Sequence, residues 1–220
     1  MLKLTDRLLK LVAGFVVFAA MSGTAEAGPP LICHPFDAGS AALLPWGPGS
    51  SWNAPDRAYD LQKLTADTLR LLTSTAPVLA RMENMRRATI YAGQDRKVAA
   101  ALLKAVVDRA KSAPAGSHDA MAWFDAGYLI ETYRQNEGSA RFNMLADSEP
   151  VLAEFRNAPR GAEGYGLVLK ALQFAGPNPE MEFAAFLMQR GPVAAEHRRR
   201  AEAGAAKGSL LAKNLAIFAQ

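Results

Sequence analysis

The sequence predicts an all-α protein built of antiparallel helical hairpins, a short α-solenoid being one arrangement of them, with an extended proline-rich N-terminal arm. Three observations predict it. Beyond Asp56 the apolar residues recur at three- and four-residue steps. No stretch combines period-two alternation with β-branched residues, so no strand is predicted. Six prolines fall between Gly28 and Pro55, where the charge density is lowest.

The first 27 residues have the layout of a secretory signal: basic residues (Lys3, Arg7, Lys10), an apolar run from Leu11 to Met21, and small residues ending in Ala25-Glu26-Ala27. That run is shorter than the roughly 20 helical residues needed to span a bilayer, which favours cleavage before Gly28 over anchoring. The expected division is therefore a signal at 1–27, an arm at 28–55 and a helical domain at 56–220. The chain is expected to be exported, to periplasm or medium. The arm carries Leu31, Ile32, Phe36, Leu43, Leu44, Trp46 and Trp52, too many apolar groups for a free linker. It is expected to lie along the helical body without regular helix, anchored by Phe36, Trp46 and Trp52.

The helical elements follow in order. Leu61, Leu64, Thr68, Leu71 and Leu72 define the first face. Pro77 opens a second helix with Val78, Met82, Met85 and Thr89 inward, Arg81, Arg86 and Arg87 away from that stripe, and an end near Gly93. Asp95 caps a third, carrying Val98, Leu102 and Val106 and stopped by Pro114 and Gly116. Ser117 is placed to cap a fourth, with Met121, Phe124, Tyr128 and Thr132 buried and Asn136 and Gly138 at its end. A short helix is expected around Arg141 to Leu145, and another from Pro150 with Val151, Leu152 and Phe155. Val168, Leu169 and Leu172 continue the helical pattern. Asn178-Pro179-Glu180 combines a capping side chain, proline and an acid, a strong start signal for a helix burying Phe183 and Leu187. Two last helices cover Val193 to Ala206 and the residues after Ser209.

Within the fourth helix, Trp123, Ala126-Gly127 and Ile130 resemble the tetratricopeptide first-helix pattern W-x2-L-G-x2-Y, departing from it at two positions. The helix after it lacks the rest of that pattern. Glycines 93, 127 and 161 lie 34 residues apart, but at a helix end, inside a helix and in a loop, so the spacing has no common phase. Two strings, Gly28-Pro29-Pro30-Leu31-Ile32-Cys33-His34-Pro35-Phe36 and Trp123-Phe124-Asp125-Ala126-Gly127-Tyr128-Leu129-Ile130-Glu131-Thr132-Tyr133, resemble exported bacterial proteins of no assigned activity. That resemblance implies export and a helical body, and no functional residues.

Composition limits the chemistry. One cysteine excludes an intramolecular disulfide, so the fold relies on its apolar half. Removing the signal takes away three cations and two acids, so the formal charge of +4 becomes +3; nucleic acid is not expected as a partner. Three histidines leave little for acid–base or metal schemes. Cys33 and His34 are neighbours on an extended segment and point apart. Ser117-His118-Asp119 has the residue types of a hydrolase triad but reads as a helix cap. Asp125 and Glu131 sit on different faces of one helix, and pairs such as Glu131 with Arg134 read as surface interactions. His197-Arg198-Arg199-Arg200 reads as a solvated basic face, with anionic lipid its sharper alternative. No catalytic residue, cofactor or metal ligand is assigned. The residues singled out for interaction are Cys33, His34, Trp46, Trp52, Arg198, Arg199 and Arg200. The expected function is a non-enzymatic binding or scaffold protein for a protein or peptide. Alternatives are a small hydrolase using Cys33, His34 or His118, and a peripheral membrane protein using Arg198 to Arg200.

Overall fold

A computed structural model describes residues 30–49, 51–112, 119–148, 152–153 and 163–218. The signal segment, Ser117, His118, Pro150, Val151 and Phe155 lie outside them. Nine α-helices occur among the described residues: α1 Pro30–Cys33, α2 Leu64–Leu71, α3 Val78–Ala92, α4 Arg96–Lys111, α5 Ala120–Gln135, α6 Glu163–Ala175, α7 Pro179–Met188, α8 Gly191–Gly204 and α9 Leu210–Ile217. No strand occurs among them, and none of their helices is long and apolar enough to cross a membrane.

Side-chain caps fix most of the helix starts. Asp95 accepts from the amides of Lys97 and Val98, Asn178 from Met181, and Ser209 from Ala212. The cap of α5 is Asp119, which accepts from Ala122 N–H, and not Ser117 as expected. A carboxylate there satisfies a free amide and also meets the positive end of the helix dipole. The short helix expected at Arg141 to Leu145 is replaced by turns leading into a 3-10 turn, Ala146–Ser148. Asn143 accepts from Leu145 N–H, a local side-chain bond that competes with helix.

Neighbouring helices pack as antiparallel pairs. Along α5 and α6, Arg134 faces Glu163 at one end, while at the other Lys170 Nζ lies 3.4 Å from the ring centre of Trp123. The two backbones touch between these ends: a Cβ on Gly127 would lie 2.5 Å from the carbonyl oxygen of Gly164. The pair α4 and α5 is also antiparallel, with the Tyr133 hydroxyl on Ala99 O and Arg109 near Asp119. So is α7 with α8, where Pro179 meets Gly204.

Helix α3 lies at the centre, parallel to α5 through the pairs Arg81 with Asp125 and Thr89 with Thr132. Its apolar stripe is buried as expected, but so are Arg81, Glu83, Asn84 and Arg86 on its other sides. Arg81 and Arg86, expected away from the apolar stripe, are nonetheless buried: the arm covers Arg86, and Arg81 is enclosed by Asp125 of α5 and the carbonyls of Thr73 and Ala76. Arg86 pairs with Glu83 at 2.8 Å and donates to the carbonyls of Ile32 and Trp52. Glu83 accepts from Phe36 N–H. Asn84 accepts from Leu44 N–H and donates to Ala42 O, and the Tyr91 hydroxyl donates to Pro45 O. The arm is thus held through its main chain, and its Leu31, Ile32, Phe36 and Leu44 are buried. One correction applies within it: residues Pro30 to Cys33 form a single helical turn, since proline at a first turn forfeits no helical hydrogen bond.

Candidate functional site

The residues singled out on the arm turn inward, toward the body. Trp46 is half-buried, with the guanidinium groups of Arg86 and Arg87 at 5.0 and 5.4 Å from its ring centre and Tyr91 edge-on. Trp52 contributes its carbonyl to Arg86. His34 stands edge-on to Phe218. Cys33 is partly buried, and that burial pushes its thiol pKa up, away from the reactive thiolate. Cys33 and His34 form no shared centre.

The basic run on α8 divides differently from the solvated face expected. Ala194, His197 and Ala201 form a buried stripe, so His197 points into the protein while its neighbours do not. Arg198 pairs with Glu202 and donates to Phe218 O. Arg199 pairs with Glu196, and Arg200 with Glu196 and, at 3.6 Å, with Glu182.

His197 is the middle of a three-helix chain. Asn178 and Pro179 set the start of α7 and thereby place Glu182 one turn in, facing α8. Glu182 Oε2 lies 2.5 Å from His197 Nδ1. Nε2 of the same ring lies 2.7 Å from the Tyr165 hydroxyl on α6. Tyr165 is fixed from its other side, since its amide donates to Glu131 on α5. His197 as a whole is only 4 % exposed. Burial, and then the Glu182 carboxylate, push the Tyr165 phenol pKa up, with Arg200 countering them. The proton therefore stays on oxygen, which suits a hydrogen-bonding phenol and not a phenolate nucleophile.

Above this chain is an open trough of about 410 Å³, lined by Tyr165, Leu169, Pro192, Val193, Glu196, His197 and Arg200. A second depression of about 420 Å³ lies on the other side of Arg200, lined by Leu172, Pro177, Asn178, Pro179 and Glu182. Val193 is 47 % exposed, one of two large aliphatic side chains exposed among the described residues.

No protein-family profile, curated protein or solved structure matches the chain with statistical support.

The other polar clusters hold helices together. Asp125 and Glu131, expected at the surface, are buried. They sit where α5 faces α3 and α6, because α5 is covered on both sides. Asp125 meets Arg81 at 2.6 Å and Arg109 at 3.6 Å. Arg134 bridges Glu131 and Glu163. Sequence reasoning missed the Glu182–His197–Tyr165 chain because its members lie 15 and 32 residues apart. One signal was present: His197 shares helical phase with Ala194 and Ala201, not with the arginines.

Proposed function

We propose that this chain is an exported helical binding protein whose seat for a partner is the trough between α6 and α8. One observation carries the reading. An exposed aliphatic side chain, Val193, stands beside a fixed polar point, the Tyr165 hydroxyl on buried His197. Binding sites combine an apolar wall with a few placed polar groups in this way. The rim carries both signs, Glu196 and Arg200, which fits a polypeptide better than a strongly charged surface. The occupant is a protein or peptide segment presenting an aliphatic side chain to Leu169, Pro192 and Val193.

The ion pairs of Arg198, Arg199 and Arg200 with glutamates leave less charge for an anionic membrane, so polypeptide binding is preferred to the peripheral-membrane reading. The hydrolase reading loses Cys33 as a nucleophile by the direction of its pKa.

The test is recovery of a partner from cell-envelope extract on the immobilised mature chain, side by side with Val193→Asp. A protein retained by the wild type and lost from the variant is expected. An identical set retained by both overturns the assignment of the seat.

A further inference from the structure

We infer that the cleft between the arm and the ends of α3 and α5 is a site for a small sugar acid, a pyranose ring bearing a carboxylate. It is separate from the trough and does not rest on the partner proposed there. Three parts of the chain build it: the arm gives Trp52 and Asn53, the chain leaving α3 gives Gly93 and Gln94, and the turns after α5 give Asn136 and Arg141. Backbone bonds hold these walls in place. The Trp52 carbonyl accepts from Arg86 at 2.7 Å, Arg141 N–H donates to Gly93 O at 3.4 Å, and Ser139 N–H donates to Asn136 O at 2.9 Å. The volume, about 210 Å³, lies below the roughly 300–1,000 Å³ of pockets for drug-sized molecules and suits a single ring.

The charge of this cleft does not depend on a titrating proton. Its lining holds no Asp, Glu, His, Lys, Cys or Tyr, and Arg141 is its one ionic side chain. A guanidinium stays charged throughout the neutral range. Arg141 makes no ion pair and no side-chain hydrogen bond among the described residues, whereas Arg81, Arg86, Arg87 and Arg134 are each held on an acid. An unanswered guanidinium in a cleft without acids draws a carboxylate, which it meets through two parallel N–H bonds.

The other polar groups suit hydroxyls. One end of the Asn136 amide meets Met144 Sδ at 3.4 Å, and the other end has no partner among the described residues although Asn136 is buried. One end of the Asn53 amide is taken by Ser51 Oγ at 2.8 Å. The side chains of Gln94 and Ser139, also in the lining, make no hydrogen bond among the described residues. An amide end donates or accepts according to how the group is turned, and a hydroxyl answers either. A hydroxylated ring therefore satisfies these groups in both orientations. Trp52, half-buried and the one aromatic residue of the lining, adds the kind of surface against which the C–H face of a pyranose packs.

Methyl β-D-glucuronide, methyl β-D-glucoside and cyclohexanecarboxylate separate the carboxylate from the hydroxyls. Each is titrated into the full mature chain at neutral pH, with amide chemical shifts followed at Gly93 and Gln94 and, for the trough, at Leu169. The glucuronide is expected to bind about five- to thirtyfold more tightly than the glucoside, the range of a charge-assisted hydrogen bond at an exposed arginine, and several-fold more tightly than the ring without hydroxyls. Arg141→Gln is expected to bring the ratio of the two glycosides to about one. Asn53→Asp, which sets a carboxylate in the same lining, is expected to weaken the glucuronide and spare the glucoside. Both positions are exposed, so neither change strips the core. Equal affinity for the two glycosides, a preference that survives Arg141→Gln, cyclohexanecarboxylate binding as tightly as the glucuronide, or no shift at Gly93 and Gln94 overturns the inference.

Discussion

Asp125 sits where α3, α4 and α5 meet, with Arg81 and Arg109 on its Oδ2. Its Oδ1 has no hydrogen-bond partner among the described residues. Burial lifts the carboxyl from 3.8 to about 7, against the opposing pull of Arg81 and Arg109. Because the folded pKa lies above the unfolded one, the folded chain holds the additional proton between them. The contribution of this group is complete below about pH 4 and is lost as pH rises through about 7. Asn at this position cannot titrate. In urea denaturation from pH 4 to 8, wild-type stability is expected to decline relative to Asp125→Asn. Parallel curves would exclude this role. Such a group was invisible in the sequence, where aspartate in an amphipathic helix counts as surface. The same bias hid Arg81 and Arg86. Periodicity records which residues one partner covers, whereas these helices are covered on more than one side.

Elements were far more legible than their buried charges. Asp95, Asn178 and Ser209 cap as their residue types predict, since a cap is a local hydrogen bond needing only its own next three residues. Crossings between helices have no such local sign. Gly127 resembles part of a repeat pattern in sequence, but its place in the fold depends on Gly164, 37 positions later. Each would drive a Cβ into the other's carbonyl, at 2.5 and 2.6 Å. Gly127→Ala gains helix propensity of about 1 kcal/mol, yet must separate α5 from α6 or displace Leu167. A net loss of roughly 1–3 kcal/mol is expected by denaturant titration. Gly138→Ala, with no atom within 4 Å of the new methyl, serves as the control and is expected within about 0.5 kcal/mol of wild type. Equal stabilities for the two variants would mean that the close crossing is not a constraint.

For the whole molecule, the extended arm on the helical body was predicted from proline content and apolar residues, and its manner of attachment was not. The body holds the arm's main chain as it would a peptide, through carbonyls and amides, in addition to burying Leu31, Ile32, Phe36 and Leu44. Asn84→Ala leaves the Leu44 N–H and Ala42 O without their partner. The expected cost is about 1–3 kcal/mol, with faster amide exchange at Leu44 and unchanged exchange in α7 and α8. Uniform acceleration across the protein would instead make the arm inseparable from the global fold. The candidate site shares this illegibility for the same reason. Tyr165, His197 and Glu182 each look ordinary in their own helix, and only the packing of α6, α7 and α8 makes them one chain.

The arm is also fastened far from α3. Asn214 on α9 accepts from the Asp37 amide and donates to the Asp37 carbonyl, both at 2.9 Å, spanning 177 positions of sequence. A ribosome that has released Asp37 still has almost the whole polypeptide to synthesise before the clasp for that residue exists. Until α9 emerges, the Asp37 main chain lacks this contact, so the clasp at that residue is among the last parts of the fold to close.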